Sequence, residues 1–256
     1  MTGRMRRCNA ELPPPGNRSG RRSRSHAKDL SQRAHRRLIG YLGLLMPLLL
    51  YLVAGARHTT GLDRWTLLPS VSAYYYTGAV GIFVGVLFAL SLFLLTYRGY
   101  EGEVADRVIG CLGGCAALGV ALFPTTAPTG VSEPSWWATP LRTTHYLSAV
   151  VLFLSFIIFA MWLFRKSSIP RNEDRGLEKR LRNTVYLICG ISMILSVLWA
   201  ASSLITDAPI FWPETIAILA FAISWLVKGE ADLPVRRAIR RFGSRRTAPG
   251  EPPAAV

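Results

Sequence analysis

The chain has 256 residues, half of them hydrophobic, with a mean hydropathy of +0.28 and a formal net charge of +15. Soluble domains seldom join such hydropathy to such charge, whereas a membrane protein segregates the two into apolar spans and charged loops. The four cysteines, Cys8, Cys111, Cys115 and Cys189, form neither a disulfide framework nor a zinc-ligand spacing, so no metal and no cofactor are expected.

Residues 1–37 are rich in Arg, Ser, Gly and Pro and read as a disordered basic cytoplasmic tail. Eleven Lys and Arg beside a membrane span suit anionic lipid headgroups rather than nucleic acid. The first apolar run, 38–56, carries Pro47 near its middle and ends in Ala54-Gly55-Ala56. The long basic stretch before it argues for an uncleaved signal anchor. Residues 57–77 form a loop with Trp65, Pro69 and three consecutive tyrosines, Tyr74, Tyr75 and Tyr76, which suit an interfacial aromatic belt.

The second run, 78–97, and the third, 108–123, are joined by a short charged turn and form an antiparallel hairpin. Gly81, Gly85 and Ala89 recur along one face of the second run, which predicts close approach by another helix. The third run is small on several faces, with Gly110, Gly113, Gly114 and Ala117 and with Cys111 and Cys115 as packing residues. This run is therefore expected at the centre of the bundle. A Trp- and Pro-bearing loop, 124–144, precedes the fourth run, 145–164. The charged stretch that follows includes EDRGLEKRLR, read as a short surface helix. The fifth run, 185–205, is separated from the sixth, 210–227, by the link TDAP. The chain from 231 to 256 is a second basic tail.

Orientation follows from the basic residues. The N-terminal tail, the loops at 98–107 and 165–183 and the C-terminal tail counted from Lys228 carry 27 of the 30 Lys and Arg. The three alternate loops carry the remaining 3, which assigns both termini to the cytoplasm and requires an even number of spans. The expected fold is an all-α integral membrane bundle of six transmembrane helices, residues 38–230, between two cytoplasmic tails.

The middles of the six runs carry no Asp, Glu, Lys, Arg or His, which argues against a pump or a proton-coupled transporter. Polar residues gather at the outer helix ends: Asp63, Ser72, Thr77, Thr125, Thr126, Asp207, and above all Tyr74, Tyr75, Tyr76, His145 and Glu214. These last five define an expected outer vestibule. Glu214 in the first turn of the sixth run suits a helix N-terminus, whereas an imidazolium at the start of the fourth does not, so His145 reads as a neutral acceptor or proton carrier. The sequence holds no HExxH, Walker A or GxSxG pattern. A serine intramembrane protease needs a buried Ser with a His or Lys in the core of the membrane, and none is available in these runs.

The segments SAYYYT, FVGVLFALSLFLLTYRGY, GVALFPT and FWPE…FAISWLVKGE resemble a group of small bacterial multi-pass integral membrane proteins of unknown function, of six-span type. The resemblance covers residues 38–230. It implies a helical bundle in a bacterial plasma membrane and carries no catalytic residues. It also implies a His where this chain has Tyr76.

Three functions fit these residues. The first is a non-enzymatic protein whose outward-facing vestibule takes a lipid or small molecule. The second is a membrane-embedded enzyme acting on an amphiphilic substrate through His145 and Glu214. The third is a passive transporter or channel subunit.

Overall fold

A computed structural model describes residues 18–97, 99, 104–166 and 173–230. The expected tails at 1–17 and 231–256 lie outside the described residues. Those described form six helices and no strand: α1 (Arg18–Ala56), α2 (Val80–Leu95), α3 (Val104–Leu122), α4 (Thr139–Met161), α5 (Glu173–Thr206) and α6 (Phe211–Lys228). A 3-10 turn, Ser72–Tyr76, precedes α2, and another, Leu163–Arg165, follows α4.

Five of the helices are long and apolar enough to cross a membrane, and α2 is a shorter apolar helix of 16 residues. Their outward faces carry large apolar side chains in the open, including Leu92, Leu147, Leu195 and Leu198, each more than half exposed. Water does not tolerate so much contiguous apolar surface on a folded chain, whereas hydrocarbon does. The fold is an all-helical bundle with the surface of a membrane protein.

The helices form a ring in chain order. Each packs on its sequence neighbours, α6 closes on α1, and a lighter α4–α6 contact bridges the middle. Aromatic side chains fill the interior. Phe156 of α4 stacks on Phe221 of α6 with ring centroids 3.5 Å apart. Trp225, fully buried, sits among Tyr97, Phe159 and Phe164. Lipid is as apolar as these side chains, so close packing and interhelical hydrogen bonds hold such helices together. At the α2–α3 contact, Ser91 donates its hydroxyl to the Gly114 carbonyl at 2.7 Å.

Several expectations are corrected. The helix does not begin at residue 38. α1 runs back to Arg18, and Arg33, His35 and Arg37 are bound to the bundle, so the stretch up to 37 is not all tail. EDRGLEKRLR is no separate surface helix, because α5 starts at Glu173 and continues unbroken. The third run is not central. α3 packs on α2 and α4 only at close range and leaves Val108, Leu112, Cys111 and Cys115 exposed. The most enclosed helix is α6, which buries 56% of its apolar stretch. A Cβ added at Gly81 or Gly85 meets nothing within 4 Å, so that face of α2 approaches no other helix. Gly110, Gly113 and Gly114 do pack tightly. A Cβ there would lie 2.8 Å from the Leu94 carbonyl oxygen, 3.2 Å from Ser155 and 2.6 Å from Leu95 respectively.

Candidate functional site

The site is built where three connecting segments meet at one end of the ring. Pro69, midway along the α1–α2 connection, lends its carbonyl to the N–H groups of Ile210 and Phe211, at 2.7 and 2.9 Å, where α6 begins. The chain then turns through Val71 into the 3-10 turn. Here Glu214, one turn into α6, accepts the Val71 N–H on Oε2 at 2.6 Å, with the Ser72 N–H also directed at this carboxylate. A carboxylate is a strong acceptor for such N–H groups, which explains why a charged side chain stands at the start of an otherwise apolar helix.

His145, on the second turn of α4, reaches the same turn from the other side. It is 2% exposed. Its Nε2 lies 3.0 Å from the Ser72 hydroxyl and its Nδ1 lies 2.6 Å from the Phe123 carbonyl. A carbonyl only accepts, so Nδ1 carries the proton. A neutral imidazole then presents Nε2 as an acceptor, and the Ser72 hydroxyl donates to it. Glu214 and His145 thus grip adjacent residues, Val71 and Ser72, and neither is the other's bonding partner.

The three tyrosines part company. Tyr74 is fully buried and packs on Phe211, so it is a core residue and no part of an interfacial belt. Burial pushes its hydroxyl above the usual phenol value, against a smaller opposing effect of the Leu68 backbone. Tyr75 lies edge-on to Tyr76 and to Phe83. The Tyr76 hydroxyl donates to the Thr125 carbonyl at 2.5 Å, and Trp137 Nε1 donates to the same oxygen at 3.1 Å. Burial, the Glu133 carboxylate and Tyr75 together push the Tyr76 hydroxyl to about 12. Tyr76 therefore fastens the α1–α2 connection to the α3–α4 connection.

Inside this end lies a cavity of about 50 Å³. Gly43 and Met46 of α1, Phe83 and Leu87 of α2, Ala149 and Phe153 of α4, and Ile218 and Phe221 of α6 line its apolar walls. Ser72 and Glu214 close one end of it. Of the five residues expected in a vestibule, Glu214 alone is among the lining. The other four stand behind or beside the wall, and the space lies within the ring rather than as an outer mouth. A second cavity, about 20 Å³, lies in the α1–α2 connection among His58, Asp63, Arg64, Trp65 and Thr77.

Two features escape a reading of the sequence. One is the Ser72–His145 pair: the residues are 73 positions apart and nothing local marks the serine. The other lies at the opposite end of the ring. Asp106 of α3 and Lys228 of α6 are buried there, at 2% and 7% exposure. Lys228 donates to the Phe164 carbonyl at 3.2 Å. Arg33 and Arg182 meet the Glu230 carboxylate at 2.9 and 3.6 Å. Asp106 falls in the expected loop at 98–107 but stands three residues into α3. Among the described residues no group of His, Cys, Asp or Glu could hold a metal ion.

No family model, no curated protein and no solved structure matches this chain.

Proposed function

We propose that the chain is a six-span protein of a bacterial plasma membrane, with both termini cytoplasmic, that holds the apolar part of a lipid or other small amphiphile. The observation that carries this reading is the cavity. Its walls are apolar, and two polar residues that meet at the Val71–Ser72 turn, Ser72 and Glu214, are among its lining. Such a space suits a molecule with an alkyl segment and a polar head, because each part then meets its own kind. At about 50 Å³ the space takes the end of a slender chain, a few methylenes, and no ring system. The interior beyond it is filled by Phe156, Phe221 and Trp225, which favours a closed cup over a continuous pore. The skewed Lys and Arg distribution puts the polar end of the cup on the outer side of the membrane.

The test is the lipid that travels with the protein. Wild type purified in mild detergent should carry a bound amphiphile by native mass spectrometry. Ala149→Phe, which fills the cavity from α4, should lose it while keeping the wild-type helix content. Equal binding by both proteins would remove the cavity from consideration.

A further inference from the structure

We propose that Ser72 is a nucleophile, with His145 as its base, and that the pair hydrolyses a carboxylic ester bearing an alkyl chain. The inference rests on the cavity as the place that takes the chain. It adds chemistry to that reading.

Four observations carry it. The Ser72 hydroxyl donates to His145 Nε2 at 3.0 Å, within the reach a general base needs. The Phe123 carbonyl, 2.6 Å from Nδ1, fixes the tautomer in which Nε2 is free to accept a proton, as the third member of a nucleophile–base–orienting group arrangement does. Ser72 lines the cavity and His145 does not, so the serine stands between the base and the space where a chain would enter. His145 is shielded from solvent, which keeps water from competing for Nε2. A buried His needs two partners merely to be satisfied. It does not need one of them to be a serine in the wall of an apolar cavity.

The reaction balances with water alone. Ser72 Oγ forms a bond to the ester carbonyl carbon as its proton passes to Nε2. The carbon–oxygen bond to the alcohol breaks, and the leaving oxygen takes the proton from Nε2. Water then attacks the acyl carbon and gives a proton to Nε2. The bond to Oγ breaks, Ser72 recovers the proton, and the carboxylic acid departs. The net change is ester and water to acid and alcohol. The Val71 N–H, next to the nucleophile, is the donor that the oxygen of the tetrahedral adduct would use. In the resting protein it is held by Glu214 Oε2 at 2.6 Å, so the substrate oxygen has to displace the carboxylate.

The experiment uses the full chain in nanodiscs and two alkyl fluorophosphonates, one long-chain and one short-chain, followed by peptide mapping. The expected result is a single adduct on Ser72, formed about tenfold or more faster with the long-chain probe, because the remote chain supplies the binding energy. His145→Gln should abolish the adduct, and Ser72→Ala should leave no labelled serine elsewhere. An unlabelled Ser72 in folded wild type overturns the proposal, as does labelling that His145→Gln leaves unchanged. A photoactivatable alkyl probe run in parallel separates the two readings. Crosslinks to α2 and α4 around the cavity with no adduct on Ser72 remove the nucleophile and keep the cup. If neither reagent reacts, both fall.

Discussion

Arg37 of α1 reaches across to the end of α6, where its Nε donates to the Gly229 carbonyl at 2.8 Å and its Nη2 to the Glu230 carbonyl at 3.0 Å. The last carbonyls of a helix have no intrahelical donors, and the negative end of the dipole favours a cation there. One guanidinium therefore caps α6 and joins the first and last helices of the ring. Replacing Arg37 by Ala should lower the melting temperature in detergent, by the equivalent of about 1.5–3 kcal/mol for a charged hydrogen-bond donor. Arg37→Lys should recover part of the loss, since an ammonium supplies the charge without the two-pronged geometry. Unchanged melting of Arg37→Ala would mean that water serves these carbonyls equally well.

The orientation is tested by labelling. In a cysteine-free background, single cysteines at Arg64, Trp136 and Asp207 should react with a membrane-impermeant maleimide added to intact cells. A cysteine at Lys166 should react only after the cells are opened. The reverse pattern would put the Ser72 end of the ring on the cytoplasmic side.

How far the sequence reached can be judged helix by helix. Apolar runs and basic loops suffice to place six helices, because spanning length and charge asymmetry are local properties. Helix ends escape such a reading where helices continue through charged residues: Arg33 to Arg37 in α1 and Asp106 in α3 have the composition of a loop, yet both lie within helices. His145 and Glu214 were legible as polar residues at apolar helix starts. Their target, the Val71–Ser72 turn, was not, since a serine in a loop carries no mark until two helices converge on it. Glycine stripes were legible as stripes, but which one faces protein depends on helix rotation.

That rotation makes a paired prediction. A Cβ at Gly114 would stand 2.6 Å from Leu95 Cγ and 3.1 Å from the Leu95 backbone nitrogen. Gly114→Leu should therefore spread α2 from α3 and cost about 1–3 kcal/mol or more. Gly85, with nothing within 4 Å, should accept Leu without loss, and the gain over glycine in helix propensity is about 0.5–1 kcal/mol. Thermal melts of the two variants decide it, and equal destabilisation would mean that the open face of α2 is covered in the folded assembly.

Tyr76 predicts an alkaline limit. Its hydroxyl titrates near 12 in the folded chain and at the ordinary value of 10.0 when unfolded. The folded state therefore holds this proton more tightly. The contribution is complete below pH 10 and falls away as pH rises towards 12. Wild type should lose melting temperature across that window. Tyr76→Phe should start lower, having lost the hydrogen bond to Thr125, and decline less. Parallel curves for the two proteins would show that the phenol proton has no part in the loss.

The last prediction isolates Glu214. Its carboxylate accepts the Val71 N–H at 2.6 Å at the edge of an apolar cavity, where few other acceptors are at hand. Glu214→Ala leaves that donor facing hydrocarbon, at a cost of about 1–3 kcal/mol for an unsatisfied buried group. Glu214→Gln keeps a carbonyl acceptor but gives up the charge that shortens such bonds, so it should fall between Ala and wild type. Hydrogen exchange at the Val71 amide gives the local readout. Protection should fall most in Glu214→Ala, less in Glu214→Gln, and remain unchanged at Gly229, on the far end of α6. If exchange rises equally at both ends, the carboxylate holds the whole helix in place and its action is not confined to the Val71–Ser72 turn.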